Sequence, residues 1–364
     1  MSAGKRTGQI KGVRFPGRYI QGPGALNRLG EEAAAYAPRA FVLLDGGIFD
    51  PLSERVLAGF TDRGEVRLER FGGECCEAAI DLGSEQARAH GAGVIVGIGG
   101  GKALDTAKAV SHRLGLPVVI VPTIAASDAP CSALAVVYNP DGTVAYDLFL
   151  PRNPDLVLAD TDVIAAAPAR FLAAGIGDAL ATWYEAHSCE RAGAKNCLGL
   201  PGLPLAYAVA RECRETILAH GPAALAECDA RSPGPALERV VEANILMSGL
   251  GFESGGVAAA HAIHHGLTEL DEVHHHLHGE KVAIGVLAGL LLNGERDEFA
   301  RIRAFCASVR LPVRLADIGI VEVTDEKLRR VAERACRPGE IIHNEPFAVT
   351  PDMVVAALRE LEAA

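Results

Sequence analysis

Seven of the 12 histidines fall within positions 261–278: His261, His264, His265, His274, His275, His276 and His278. A neutral imidazole is a good ligand for zinc and related ions, so a cluster this dense points to metal chemistry. His261/His265 and His274/His278 are both i, i+4 pairs, able to chelate one ion if helical, and spacing alone does not choose between them. No HExxH is present, which excludes the metalloprotease arrangement. His274–276 follow Asp271-Glu272 in a polar connector and read as solvent-exposed. His278 differs, because Gly279-Glu280-Lys281 opens an apolar helix behind it. Asp178 is the candidate carboxylate. It lies in AGIGDAL at 174–180, where burial without a partner is costly. A metal would neutralise it; a helix-capping role is the other reading.

A second chemistry is written in Gly97-Ile98-Gly99-Gly100-Gly101-Lys102, which ends a buried strand and opens a helix. Glycines there let backbone N–H groups approach a diphosphate, and the helix terminus adds partial positive charge. The turn is neither familiar fingerprint. GxGxxG would need Gly where Lys102 stands, and a P-loop would need Gly and Ser/Thr where Val96 and Ala103 stand. Asp45 ends an earlier strand. It is placed either to bind a ribose 2′-hydroxyl, favouring NAD over NADP, or as an ordinary turn residue. In the usual Rossmann order the acid follows the glycine turn, whereas here it precedes it. Asp105 and Lys108 sit at i, i+3 on the helix after the turn and read as a surface ion pair.

These residues need a frame to hold them. Apolar runs at 40–44, 65–70, 93–98, 117–121 and 156–159 alternate with helical patterns from 51, at 77–90 and at 102–114. That alternation predicts a parallel sheet covered by helices. Runs at 134–138 and 143–146 flank Asn139-Pro140-Asp141-Gly142, a hairpin turn. After Asp160-Thr161-Asp162, read as a cap for the first of the helices that follow, the pattern is helical: 168–191, 203–220, 236–252, 257–266, 279–292, 296–309, 325–336 and 351–362. The expected division is an α/β domain at 1–162 with a Rossmann-like parallel sheet, then an all-α domain at 163–364.

Composition narrows the function classes. The chain has 364 residues, 49% hydrophobic, enough to bury cores and exclude wholesale disorder. A net charge of −11 argues against a phosphate-backbone binder, so no nucleic-acid partner is expected. No apolar run approaches the length of a membrane span, and residues 1–13 carry no apolar leader. The nine cysteines form no CxxC pair, which suits reduced thiols and a cytoplasmic protein.

Taken in order, the motifs resemble glycerol dehydrogenases, zinc-dependent members of the iron-containing alcohol dehydrogenase superfamily. The matching segments are FPGRYIQGPGAL (15–26), GIGGGKALDTAKA (97–109), PTIAASDAPCSA (122–133), GIGDALAT (175–182), AAAHAIHHGL (258–267), HGEKVAIG (278–285) and HNEPF (343–347), spread over nearly the whole chain. The resemblance implies a dehydroquinate synthase-like fold and a zinc site of Asp178, His261 and His278. It implies NAD contacts from Asp45, Gly101, Lys102, Thr123, Ser132, Leu134 and Tyr138. Gly99, Gly100, Asp105 and Ser127, from the same segments, are assigned to that cofactor set. Asp128 is implied to hold a substrate hydroxyl. The implied reaction is reversible, NAD-dependent oxidation of glycerol or a similar vicinal diol to the ketone, in a homo-oligomer that is an octamer in many members. Iron(II) also suits two histidines and a carboxylate. A phosphorylated polyol is the alternative substrate, but 122–134 contains neither Lys nor Arg to bind its phosphate. The chain departs from the family at Ala126, which lacks a hydroxyl the family supplies to the cofactor, at His265, where Asn is usual, and in the His274–276 run.

Overall fold

The computed structural model describes residues 9–139 and 142–364. Residues 1–8, within the stretch read as lacking a leader, and Pro140-Asp141 of the hairpin turn lie outside the described residues. Two compact units emerge. The sheet unit comprises Phe15–Ile176 and Thr216–Gly249; the helical unit comprises the residues up to Arg14, Gly177–Glu215 and Leu250–Ala364. Strands give way to helices at Asp160–Thr161, where sequence placed the change, whereas the units themselves part inside a helix at 176/177.

The sheet unit is built on β1 (Tyr19–Gly22), β2 (Arg39–Asp45), β3 (Glu65–Phe71), β4 (Val94–Gly99), β5 (Val118–Pro122) and β8 (Leu156–Asp160), with β6 (Leu134–Tyr138) and β7 (Val144–Phe149) as a separate antiparallel pair. The six-stranded sheet runs β1-β8-β5-β4-β2-β3, and each of its pairings is parallel. β4, β5 and β8 are buried at every position, as their unbroken apolar runs require when helices cover both faces. β1 is an addition to the expected set. Its four residues, ending in glycine, carry no strand pattern, and it forms by pairing with β8. The helices of the first part of the chain are α1 (Leu29–Ala34), α2 (Phe49–Gly59), α3 (Glu77–His90), α4 (Gly101–Leu114) and α5 (Thr161–Ala166). α3 and α4 stop at Gly91 and Gly115, both left-handed. Asp160 caps α5, accepting from Asp162 N at 3.0 Å and Val163 N at 3.3 Å; the sequence reading puts this cap on the helix at 168–191, whereas a short extra helix, α5, intervenes before the helix at Ala169–Ala192.

From β2 the chain moves outward to β3, and from β4 it moves the other way to β5. The C-terminal ends of β2 and β4 therefore flank a topological switch point, where open parallel sheets bind ligands.

The remaining helices are α6 (Ala169–Ala192), α7 (Pro204–Asp229), α8 (Pro235–Glu242), α9 (Ser248–Gly255), α10 (Ala259–Leu267), α11 (His278–Leu292), α12 (Arg296–Ser308), α13 (Asp325–Ala335) and α14 (Pro351–Ala363). The single helix expected at 236–252 is instead α8 and α9 joined by a π-helical turn at Ala243–Met247, invisible to a 3.6-residue period. Thr324 and Thr350 cap α13 and α14. None of the nine cysteines is in a disulfide. Among the described residues no helix is long and apolar enough to cross a membrane.

Candidate active site

In the sheet unit, the register pairs Leu44 with Ile98, which sets Asp45 beside Gly99 at the switch point. Gly99 has φ +149°, and a Cβ there would lie 2.5 Å from Asp45 Cβ, so only glycine lets the acid and the turn adjoin. Asp45 Oδ1 accepts from Gly47 N at 2.9 Å, which fixes the carboxylate at the strand end. The inverted sequence order of acid and glycine turn is thus resolved in space: β2 and β4 are neighbours.

The other expected cofactor residues lie in the same unit, at α4, on β6 and in the 123–132 segment. Gly101 and Lys102 are exposed at the start of α4, and Gly100 is partly so. Lys102 Nζ pairs with Glu74 and lies 5.8 Å from the Tyr138 ring centroid. Burial, with Asp105 and Glu74 nearby, pushes the Tyr138 hydroxyl up to about 12, so it stays protonated. Thr123 is buried and donates its N–H to Gly99 O at 3.1 Å. Ser127 and Leu134 are partly exposed, and Ser132 is buried.

The Asp105–Lys108 pair corrects the surface reading. Both residues are buried. Lys108 Nζ donates to Asp105 Oδ1 (3.2 Å), Ala129 O (2.6 Å) and Leu134 O (2.9 Å), while Asp105 Oδ2 accepts from Val136 N at 3.1 Å. Burial pushes the Asp105 carboxyl up, and Lys108 and the Val136 N–H offset part of that. The pair ties α4 to the 129–136 segment. The helix packs this face inward, which an i, i+3 spacing cannot announce.

The helical unit brings Asp178, His261 and His278 together. One donor atom from each lies within 4.8 Å of the others. Asp178 Oδ1 is 3.4 Å from His261 Nε2 and 3.1 Å from His278 Nε2, and the two rings are 5.4 Å apart. Asp178 is fully buried. Burial alone would raise its pKa, but His278 and His261 override this and hold it well below the usual carboxylate range.

Two glycine contacts build this arrangement. A Cβ on Gly177 would lie 2.4 Å from Gly279 O, so α6 and the start of α11 touch backbone to backbone, one residue from Asp178 and one from His278. A Cβ on Gly285 would lie 2.2 Å from Ala260 O, which seats α11 on α10 beside His261. Gly177→Ala is therefore expected to cost about 1–3 kcal/mol by overpacking and to weaken metal retention. Gly289→Ala is the comparison, since its Cβ would meet Ala259 Cβ at an ordinary 3.8 Å. Urea midpoints and metal content after dialysis against chelator measure both effects; equal behaviour of the two variants would refute the packing argument.

Glu185 belongs to the site and was not singled out from sequence. It lies on α6, two turns beyond Asp178, and is buried. Its Oε2 is 2.5 Å from His261 Nδ1, and its Oε1 accepts from His261 N (2.8 Å) and Ala258 N (2.9 Å). A carboxylate on Nδ1 leaves Nε2, the atom facing Asp178, as the one able to ligate a metal. The available signal was a second acid at i+7 in an apolar helix. Burial pushes the His261 pKa down, while Glu185 and Asp178 more than compensate and raise it.

The remaining histidines separate. His264 is buried, with its ring 4.4 Å from that of His278, and desolvation together with the neighbouring His278 keeps it neutral. His265 turns toward Glu340, Nδ1 to Oε1 3.2 Å. His274 Nε2 contacts Thr268 O at 3.1 Å, His275 is exposed, and His276 faces Glu280 at 3.4 Å. α11 begins only at His278, so His274 and His278 share no helical face.

Comparison with known proteins places this chain among the alcohol dehydrogenases. The model of the family described as iron-containing alcohol dehydrogenase matches residues 16–161. A glycerol dehydrogenase of Thermotoga maritima is 54% identical over 347 residues, covering 95% of each chain. The crystal structure of a probable glycerol dehydrogenase from Sinorhizobium meliloti superposes with a TM-score of 0.91 at 46% identity, covering 97% of this chain and 98% of that one. The glycerol dehydrogenase structure from Schizosaccharomyces pombe gives a TM-score of 0.93 at 38% identity, with 98% and 91% covered. The chain belongs to the iron-containing alcohol dehydrogenase family and is an oxidoreductase.

Proposed function

We propose that this enzyme oxidises glycerol, or a similar small vicinal diol, at its secondary hydroxyl, reversibly and with NAD as hydride acceptor, giving dihydroxyacetone from glycerol. The observation that carries the reading is the convergence of Asp178, His261 and His278, in a chain 54% identical to a glycerol dehydrogenase. The donor set suits zinc: two imidazole nitrogens and a carboxylate oxygen, one imidazole oriented by Glu185, would hold it. When bound, zinc supplies Lewis-acid chemistry that eases ionisation of a substrate hydroxyl near neutral pH.

The protein's own residues do the rest. The glycine turn at 99–101 and Lys102 take the diphosphate, and Asp45 accepts the ribose hydroxyls. Thr123, Ser127, Ser132, Leu134, Tyr138 and Asp105 complete or support the cofactor set. Asp128, buried at 8% exposure, accepts a hydrogen bond from the hydroxyl next to the reacting carbon. The carbinol carbon gives its hydride to the nicotinamide, and the hydroxyl proton passes to solvent. In this reading 1–162 carries the cofactor function and 163–364 the metal function. A phosphorylated substrate is disfavoured. Lys108 does reach the 129–134 segment, but its ammonium is spent on Asp105 and backbone carbonyls.

A panel of glycerol, propanediol, butanediol, dihydroxyacetone and glycerol phosphate, run with zinc- and iron(II)-loaded enzyme, tests the proposal. The expected result is turnover of glycerol or another free vicinal diol with the zinc form. Turnover confined to the phosphate ester, or to the iron form, would overturn the corresponding part.

A further inference from the structure

The segment carrying Asp128 is gripped from one side by the helix that contains the π turn. Asn244, within that turn and fully buried, donates to Ala125 O at 3.0 Å and to Leu172 O at 3.3 Å. One helical turn later Ser248, also fully buried, donates from Oγ to Asp128 Oδ2 at 3.1 Å. A glycine on each of two helices, Gly175 on α6 and Gly249 on α9, lets the loop approach. A Cβ on Gly175 would lie 1.9 Å from Ala125 O, and one on Gly249 would lie 2.7 Å from Cys131 Cβ and 3.2 Å from Asp128 O. The loop is thus pinned at both ends of the 125–128 stretch, once through a backbone carbonyl and once through the functional carboxylate itself.

We propose that Ser248 is a positioning residue for the reaction: its hydroxyl fixes the orientation of the Asp128 carboxylate and so determines how well the enzyme uses a substrate bearing a second hydroxyl beside the reacting one. The proposal rests on the reading of Asp128 as the acceptor of that hydroxyl. A hydroxyl donor to a carboxylate sets which way its lone pairs face and strengthens its charged form. π turns recur at functional sites because the extra residue re-aims the side chains around it. Here the turn delivers Asn244 and Ser248 to the same loop. A polyol is recognised by the direction of its hydroxyls, so a carboxylate held less firmly would lose selectivity between a diol and a simple alcohol.

The test compares glycerol with propan-2-ol, which has the reacting hydroxyl and lacks the neighbouring one. Ser248→Ala is expected to lower kcat/KM for glycerol about 10- to 100-fold, the cost of a hydrogen bond to a charged group. The KM for NAD and kcat/KM for propan-2-ol should change less than about threefold. In an Asp128→Ala background the same substitution should cost nothing further, because the two act as one unit. Ser248→Cys, close in volume and a weak donor, should match Ser248→Ala and stands in if that variant does not fold. Equal losses on glycerol and propan-2-ol, or an undiminished loss in the Asp128→Ala background, would overturn the proposal. If Asp128→Ala itself leaves glycerol turnover intact, the underlying reading of Asp128 fails. If Asp128→Ala is costly and Ser248→Ala is silent on glycerol, the role of Ser248 alone fails.

Discussion

Replacing His261 with Ala is expected to abolish diol-dependent NADH formation while the protein stays folded and still binds NAD. The residue lies in the helical unit, whereas Asp45, the glycine turn and Lys102 lie in the sheet unit, so loss of the metal need not disturb the cofactor. Removing it takes one of the three proposed ligand atoms, leaves His278 as the one imidazole of the set on Asp178, and deprives Glu185 Oε2 of its Nδ1 partner. The loss should exceed the roughly 10–100-fold decrease in affinity or activity that follows removal of an outer-shell partner. Glu185→Gln provides that smaller effect for comparison, since it keeps an acceptor near His261 Nδ1 but removes the charge. Zinc content per chain, circular dichroism and NADH absorbance in one preparation check the claim. A folded His261→Ala enzyme with wild-type turnover would remove the metal assignment altogether.

The second large effect concerns the nucleotide. The wild-type enzyme should prefer NAD over NADP by about 100-fold or more, because a 2′-phosphate brought to Asp45 meets a carboxylate instead of ribose hydroxyls finding an acceptor. Asp45→Asn retains an oxygen that can accept from Gly47 N, so the strand end keeps its local cap while the charge is lost. Its KM for NAD should rise about 10-fold or more, in line with a hydrogen bond to a charged group, and its KM for NADP should fall. Steady-state kinetics with both nucleotides measures this. A native preference for NADP would refute the role given to Asp45.

Long, strongly patterned segments were legible directly. β4, β5 and residues 156–159 of β8 are unbroken apolar runs, and their burial on both faces is what such runs mean. The capping character of Asp160 was legible because a capping carboxylate acts on N–H groups two and three residues away, but the short helix it caps was not, since α5 spans only Thr161–Ala166. β1 was not, because four residues without alternation become a strand only when β8 offers an edge. The π turn was not, because it alters helical phase without altering composition.

The sequence by itself determined which residue types were available for chemistry: a glycine turn after a buried strand, an acid at an earlier strand end, a histidine cluster and a carboxylate in a small-residue helix. These are local properties, written in spacing and neighbours. Only the tertiary structure decided which of them meet. Parallel order makes β2 the neighbour of β4, so Asp45 and Gly99 adjoin although 54 positions separate them. Backbone contact at Gly177 and Gly279 brings Asp178 to His278, and the turn of α10 sends His265 to Glu340 while His261 faces Asp178. Glu185 and Ser248 acquire their roles solely from such contacts. Each depends on two backbones approaching within a side chain's width, and a one-dimensional pattern carries no record of which backbones do so.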